Sequence, residues 1–128
     1  MLGQYIALAI ITVAAAGLPA TALAGDAPAG DALAGQRDFS RCAACHAAEP
    51  GKNRIGPSLA GVVGRSAGGV PDYSYSTAMK NAHLTWDAAT IDRFLANPQS
   101  VVRGTKMFVD VPDATARANV IAYLATLR

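Results

Sequence analysis

The stretch Arg41–Gly51, RCAACHAAEPG, holds both cysteines of the chain and one of its two histidines. They stand together as Cys42-Ala43-Ala44-Cys45-His46. Two cysteines at this spacing can form a redox-active disulfide, an inert disulfide or half of a zinc site, or they can attach a haem group. The rest of the sequence has to decide between these chemistries.

The surrounding residues favour haem attachment. A disulfide oxidoreductase carries C-x-x-C at the start of a helix that follows a strand, and no strand pattern precedes Cys42. A structural zinc site needs four ligands, and the second histidine, His83, lies far from the cysteine pair. An inert disulfide would leave His46 without a role. C-x-x-C-H uses all three residues, because each thiol can bond one haem vinyl group while the imidazole faces the iron.

The N-terminal segment differs from the rest of the chain. Residues 1–24 contain no charged side chain, residues 5–18 form an apolar run, and residues 22–24 read Ala-Leu-Ala, an A-x-A cleavage site. We therefore predict a cleaved signal peptide at 1–24, a flexible leader at 25–30 and a single domain at 31–128. An uncleaved membrane anchor is the alternative, although the apolar run is shorter than the roughly 20 residues of a membrane span. Export would place the protein in the bacterial periplasm.

The pattern of apolar residues predicts an all-α domain with three main helices and Gly-rich loops. Residues 31–46 favour a first helix, with one face formed by Gly35, Phe39, Cys42, Cys45 and His46. Residues 51–75 are rich in glycine and predict loops, without the alternation of a sheet. The formal net charge of +2, without a basic run, argues against nucleic acid as a partner.

Two further helices are predicted downstream. Thr85 is the predicted N-cap of the second helix, which ends at Asn97 because the residue before a proline disfavours helical geometry. Asp113 is the predicted N-cap of the third helix. The apolar positions at helical spacing are Ile91, Phe94 and Leu95, then Val120, Ile121, Leu124 and Leu127.

A second ligand for the haem iron would decide between classes of function. The candidates are Met79, Met107, His83, the lysines and water. Two protein ligands suit electron transfer, whereas an open position suits a haem enzyme or a ligand sensor. Residue types alone leave this choice open, because a single methionine is more often a core residue than a ligand.

Five segments, taken in order and with their spacing, resemble class I cytochromes c, in particular the small bacterial relatives of mitochondrial cytochrome c. They are CAACH at 42–46, RIGPSLAGVVGR at 54–65, YSYSTAMKNAHLTW at 73–86, NPQSVVRGTKMF at 97–108 and RANVIAYLATL at 117–127. The resemblance covers nearly all of residues 31–128 and implies the class I cytochrome c fold around one covalent haem c.

The resemblance also implies roles for individual residues. Cys42 and Cys45 would form the thioether bonds, His46 and Met107 would be the axial iron ligands, and the carbonyl of Pro57 would accept a hydrogen bond from the His46 ring. The residues implied to hold a haem propionate are Arg65, Tyr75, Trp86 and Thr105. Gly35 and Phe39 would meet the last helix near Tyr123 and Leu124.

This sequence departs from the family pattern at two places. Arg103 stands where the family usually has proline, so the Met107 loop is predicted to open more easily and to lose the iron at lower pH, with Lys106 as a replacement ligand. Met79 stands where the family often has a polar residue, and we interpret it as packing against the haem. His83 is predicted to be a solvated surface residue.

The implied function is one-electron transport without enzymatic activity, by a monomer in the periplasm. Its expected partners are redox proteins such as a cytochrome bc complex, a terminal oxidase or a periplasmic dehydrogenase. The basic residues predicted around the exposed haem edge are Arg41, Lys52, Arg54, Arg103 and Lys106. The alternatives are a membrane-anchored carrier and an open-site haem enzyme or sensor.

Overall fold

A computed structural model describes residues 29–128, so the predicted signal peptide and most of the leader lie outside the described residues. The helices are α1 (Ala32–Asp38), a 3₁₀ turn (Phe39–Arg41), α2 (Thr77–Lys80), α3 (Ala88–Ala96), α4 (Pro98–Val101) and α5 (Ala114–Leu124). The described chain has no strand beyond one isolated bridge between Ser66 and Thr85. Within residues 29–128, no helix has both the length and the apolar character needed to span a membrane.

The first and last helices cross in close contact, as predicted. A side chain at Gly35 would overlap the backbone carbonyl of Asn119 on α5, so glycine permits this approach. The rings of Phe39 and Tyr123 then pack edge to face, with centroids 5.2 Å apart. The backbone amide of Asp31 donates to the Asn119 side chain at 2.9 Å, which fixes the start of α1 against α5.

The first helix is shorter than predicted. The prediction extended it through residue 46, but a carbonyl near that end bonds to a distant loop instead of to a following helical residue. Asp31 caps α1 and accepts from the amides of Leu33 and Ala34, but the α-helix ends at Asp38. Tight turns follow, and the Cys45 carbonyl accepts from the amide of Gly56 at 2.8 Å instead of from a following helical residue. This long-range bond directs the chain into the loop at His46.

Thr85 is not the N-cap of the second main helix, so that prediction was wrong. Thr85 bridges to Ser66, and the amide of Trp86 donates to the Arg65 carbonyl at 2.9 Å, which keeps the backbone extended. The N-cap is Asp87, two residues later, whose carboxylate accepts from the amide of Thr90 at 2.7 Å, and α3 begins at Ala88. The predicted cap of the last helix is confirmed, since Asp113 accepts from Ala116 at 2.7 Å.

Two four-residue helices were not predicted, and the second of them bears on the site. Asn97 ends α3 as expected before a proline, with extended backbone at φ −160° and ψ 94°. The same residue caps α4, because its side chain accepts from the amide of Ser100 and Pro98 takes the first helical position. The chain therefore turns sharply and continues as a helix just before the Met107 loop.

Buried side chains from α3 and α5 form the base of the core. Ile91, Phe94 and Leu95 of α3 face Val120 and Leu124 of α5. Outside this core, the Nε atom of Arg117 lies 2.7 Å from the Asp92 carboxylate, which joins the two helices at the surface.

Candidate functional site

An apolar cavity lies between these helices and the Gly-rich loops. Its volume is about 460 Å³, within the range of roughly 300–1,000 Å³ that is usual for cofactor sites. The apolar side chains on its wall are Val62, Met79, Ile91, Phe94, Leu95, Val111, Val120 and Leu124. Such a lining suits a large apolar group.

The cavity is lined by Cys42, Cys45, His46 and Met107. Met107 comes from a loop about sixty residues after the other three. The thiols of Cys42 and Cys45 are free and form no disulfide. Burial raises the pKa of the Cys42 thiol, and the nearby charge of Arg41 opposes this only in part. The thiol is therefore protonated at neutral pH.

The His46 ring is held in one orientation by Pro57. Its Nδ1 atom lies 2.7 Å from the Pro57 carbonyl oxygen. A carbonyl can only accept, so Nδ1 carries the hydrogen and donates it, and Nε2 keeps the lone pair that a metal needs. Burial lowers the pKa of His46, more than the hydrogen bond to Pro57 raises it, which keeps the imidazole neutral.

Arg65 contributes an unpaired donor to the cavity wall. Its two terminal nitrogens donate to the carbonyls of Ala60 and Ser58 at 3.1 and 3.0 Å. Its Nε atom is buried and has no hydrogen-bond partner within residues 29–128. A buried guanidinium N–H without a partner is costly, so a negatively charged ligand group is the natural acceptor here.

Three further polar side chains line the same cavity. The hydroxyl of Tyr75 accepts from the Val70 amide at 3.1 Å, which leaves its own hydrogen free to donate. The Thr105 hydroxyl likewise accepts from the amide of Met107 at 3.3 Å, and Thr105 is 3% exposed. Trp86 is buried, with its ring 4.9 Å from that of Phe94, and its indole N–H can only donate a hydrogen bond.

These features together fit a haem. The apolar wall suits the macrocycle, the free thiols suit its vinyl groups, and the unpaired donors suit its carboxylates. The structure therefore brings every residue of the predicted site to one cavity.

Comparison with known proteins agrees with this geometry. The sequence profile of the family described as Cytochrome c matches residues 32–128. The chain belongs to the cytochrome c family. Among its relatives, cytochrome c2 of Rhodomicrobium vannielii is 50% identical over 94 residues, which cover 72% of this chain and 75% of the relative. Cytochrome c2 of Rhodoblastus acidophilus is 49% identical over 96 residues, covering 73% and 90% of the two chains.

A solved structure extends the likeness to three dimensions. Cytochrome cH from Methylobacterium extorquens has a TM-score of 0.72 at 47% identity, and the match covers 76% of this chain and 99% of that one. As a member of the cytochrome c family, the protein is an electron carrier with a covalently attached c-type haem, not an enzyme.

The rim of the cavity contains residues that the sequence analysis missed. Ile55 is 77% exposed and Phe108 is 78% exposed, and both line the cavity. The hydroxyl of Tyr73 donates to the Ile55 carbonyl at 2.6 Å and so fixes one side of the rim. Ile55 and Phe108 both lie outside the helices, and an apolar side chain in a loop was the available sequence signal, because it has no helical face on which to pack.

The basic residues predicted around the rim are only partly placed there. Arg41 and Lys106 line the cavity, whereas the other three predicted residues do not, although all are exposed. Lys106 donates to the carbonyl of Ser74 at 2.7 Å, so it spans the rim. Met79 is buried on the cavity wall, as the packing interpretation requires, and the exposed His83 lies outside the cavity.

Proposed function

We propose that the protein is a periplasmic one-electron carrier whose haem is attached to Cys42 and Cys45 and ligated by His46 and Met107. The observation that supports it most is the hydrogen bond from His46 to Pro57, which leaves Nε2 as a ligand beside a cavity that also receives Met107. Two protein ligands leave no open iron site, and this favours electron transfer over catalysis.

The haem, when bound, supplies reversible one-electron chemistry between Fe(III) and Fe(II). Pro57 orients His46 and makes its imidazole a better electron donor. Met107 offers a soft thioether, which favours the ferrous state and raises the reduction potential. The buried walls, including Phe94 and Leu95, exclude water and disfavour added charge.

Four side chains are proposed to hold the haem carboxylates: Arg65, Tyr75, Trp86 and Thr105. Each has a hydrogen to donate at the cavity wall, and the buried Nε of Arg65 needs an acceptor most. The guanidinium also offsets negative charge that would otherwise be buried, which is the condition under which a buried carboxylate is tolerated.

We place partner docking at the rim formed by Ile55, Phe108 and Val109, beside the basic residues Arg41 and Lys106. A small exposed apolar patch with few charges suits brief, weak encounters with redox proteins. Partners of the class of a cytochrome bc complex, a terminal oxidase or a periplasmic dehydrogenase would dock there, with the carrier acting as a monomer.

Absorption spectra of the oxidised and reduced protein test the ligation. We expect low-spin iron and, in the ferric form, the weak band at the red end of the spectrum that reports sulfur bound to iron. Met107→Ala should abolish this band, and the matched variant Met79→Leu should keep it. A high-spin spectrum of the unaltered protein would instead support an open-site enzyme or sensor.

Localisation needs a separate measurement. N-terminal sequencing of the protein from periplasmic and membrane fractions distinguishes a chain beginning at Gly25 from one that retains residues 1–24. A retained segment in the membrane fraction would support the anchored carrier.

A further inference from the structure

We infer that Gln99 is a positioning residue that braces the Met107 loop through both ends of its side-chain amide. The inference rests on the proposed ligand role of Met107. Gln99 lies on α4, one turn of chain before the loop, and it does not line the cavity.

The side chain of Gln99 makes three hydrogen bonds to the backbone of the loop. Its Oε1 atom accepts from the amide of Gly104 at 3.1 Å. Its Nε2 atom donates to the carbonyl of Thr105 at 2.9 Å and to that of Met107 at 3.3 Å. The bonded residues thus include Met107 itself and the last two positions of the turn before it, Gly104 and Thr105.

The backbone partners dictate the orientation of this amide. The Gly104 amide can only donate, so it requires the oxygen of Gln99, while the Thr105 and Met107 carbonyls can only accept and require the nitrogen. The reversed orientation would place acceptor against acceptor and donor against donor. The two ends of the amide therefore have separate roles that different substitutions can remove.

The braced segment contains a type II turn. The amide of Thr105 donates to the Val102 carbonyl at 3.0 Å, and Gly104 has φ +95°, the value that the third position of such a turn requires. Arg103 takes the second position, where proline is common, and its amide makes no hydrogen bond within the described residues. The turn lacks the rigidity of proline, and Gln99 restrains it from outside.

Opening of the loop would break all three bonds. Withdrawal of the Met107 thioether moves the backbone that carries it, so the Gln99 bonds hold the closed state without contact with the haem. An added ligand that binds iron only in the open state has an apparent affinity that scales with the open population. Imidazole is a suitable probe, because its neutral form is little affected by charge changes at residue 99.

The test compares variants of the haem-loaded protein. Gln99→Met keeps the length of the side chain and removes every bond, so imidazole should bind the ferric form about tenfold more tightly. Exchange of the Gly104 amide hydrogen in the reduced protein should also be faster. Gln99→Glu keeps an acceptor for the Gly104 amide but offers no donor to the two carbonyls. It should therefore bind imidazole more tightly than the unaltered protein, while exchange of the Gly104 amide hydrogen stays slow. Gln36→Met, at an exposed site on α1, is the matched control and should change neither measurement.

Unchanged imidazole affinity together with unchanged Gly104 exchange in folded Gln99→Met would overturn the inference. Equal changes in Gln36→Met would also overturn it, since they would reflect general stability. Failure of the proposed Met107 ligation would give a different result. The unaltered protein would lack the sulfur–iron band, and Met107→Ala would leave its spectrum unchanged. Gly104 exchange would still decide in that case whether Gln99 braces the loop.

Discussion

The Nδ1 atom of His46 lies 2.7 Å from the carbonyl oxygen of Pro57. The preceding residue, Gly56, lies directly against the imidazole ring. The amide of Gly56 is in turn bonded to the Cys45 carbonyl at 2.8 Å. The loop at Gly56 and Pro57 and the motif at Cys45 and His46 therefore form one unit, which sets the ring before a ligand is bound.

We expect Gly56→Ala to displace His46. The added methyl group would overlap the ring atoms, so the ring or the loop must move. The cost should be about 1–3 kcal/mol of unfolding free energy, with loss of the low-spin spectrum in part of the protein. Gly51→Ala is the control, because that position has positive φ and open space around it. It should lower stability and leave the spectrum unchanged; identical spectra in both variants would contradict the role of Gly56.

Arg103→Pro should stabilise the Met107 loop. The second position of a type II turn matches the φ of proline, and the Arg103 amide makes no hydrogen bond within residues 29–128 that proline would remove. Val102, at φ −130° and ψ 88°, needs a modest change of ψ to precede proline. We expect a gain of about 0.4–1 kcal/mol in unfolding free energy and weaker binding of imidazole.

The same substitution tests whether arginine at this position loosens the loop. Ferric Arg103→Pro should keep its sulfur–iron band to higher pH than the unaltered protein. No difference in the pH titration would contradict that prediction. Combining Arg103→Pro with Gln99→Met should give a change that is not the sum of the two, because both act on one turn.

Short-range chemistry in the sequence predicted much of the site. C-x-x-C-H at 42–46 predicted haem attachment from five neighbouring residues, whereas the crossing of Gly35 and Phe39 with α5 was implied by the family resemblance. Asp113 before an apolar helical pattern specified where α5 begins. The motif and the cap are signals carried by neighbouring residues.

Bonds between distant segments could not be predicted in this way. Thr85 has the side chain of a cap, but it pairs with Ser66, and the N-cap of α3 is Asp87. In the sequence Gln99 is an ordinary polar residue after Pro98, and its importance depends on the distance from α4 to the turn at Gly104. Such roles arise from tertiary placement, which residue type does not encode.

Arg65→Met should destabilise the protein and alter the haem environment. It removes the donors to the carbonyls of Ala60 and Ser58, at a cost of about 1–3 kcal/mol if they stay buried without partners. The reduction potential should also fall, because a positive charge that favours the reduced state is lost. Voltammetry and denaturant unfolding measure the two effects, with the exposed Arg37→Met as the control. A potential equal to that of the control would argue against a place for Arg65 beside the haem carboxylates.

Electron exchange with small oxidants should reveal the charge of the rim. The reduced protein should react with anionic ferricyanide at a rate that falls as salt rises, because Arg41 and Lys106 lie at the cavity mouth. Lys106→Met should flatten this dependence, whereas Phe108→Ser should change the rate and keep the slope. A cationic cobalt complex is the control oxidant and should show no such decrease. A rate with ferricyanide that ignores ionic strength would contradict steering by the rim.

Asp87 should make stability depend on pH in the acidic range. The hydrogen bond from the Thr90 amide is the main cause of its lowered pKa in the folded protein. Because the unfolded chain then binds a proton at higher pH than the folded one, the contribution of Asp87 is complete above the unfolded pKa and is lost as pH falls through the folded pKa. Asp87→Asn keeps a capping oxygen without this titration, so its unfolding free energy should decline less than that of the unaltered protein on acidification. Denaturant unfolding of both proteins across the acidic range measures the difference, and parallel curves would show that the Asp87 charge adds nothing to the cap.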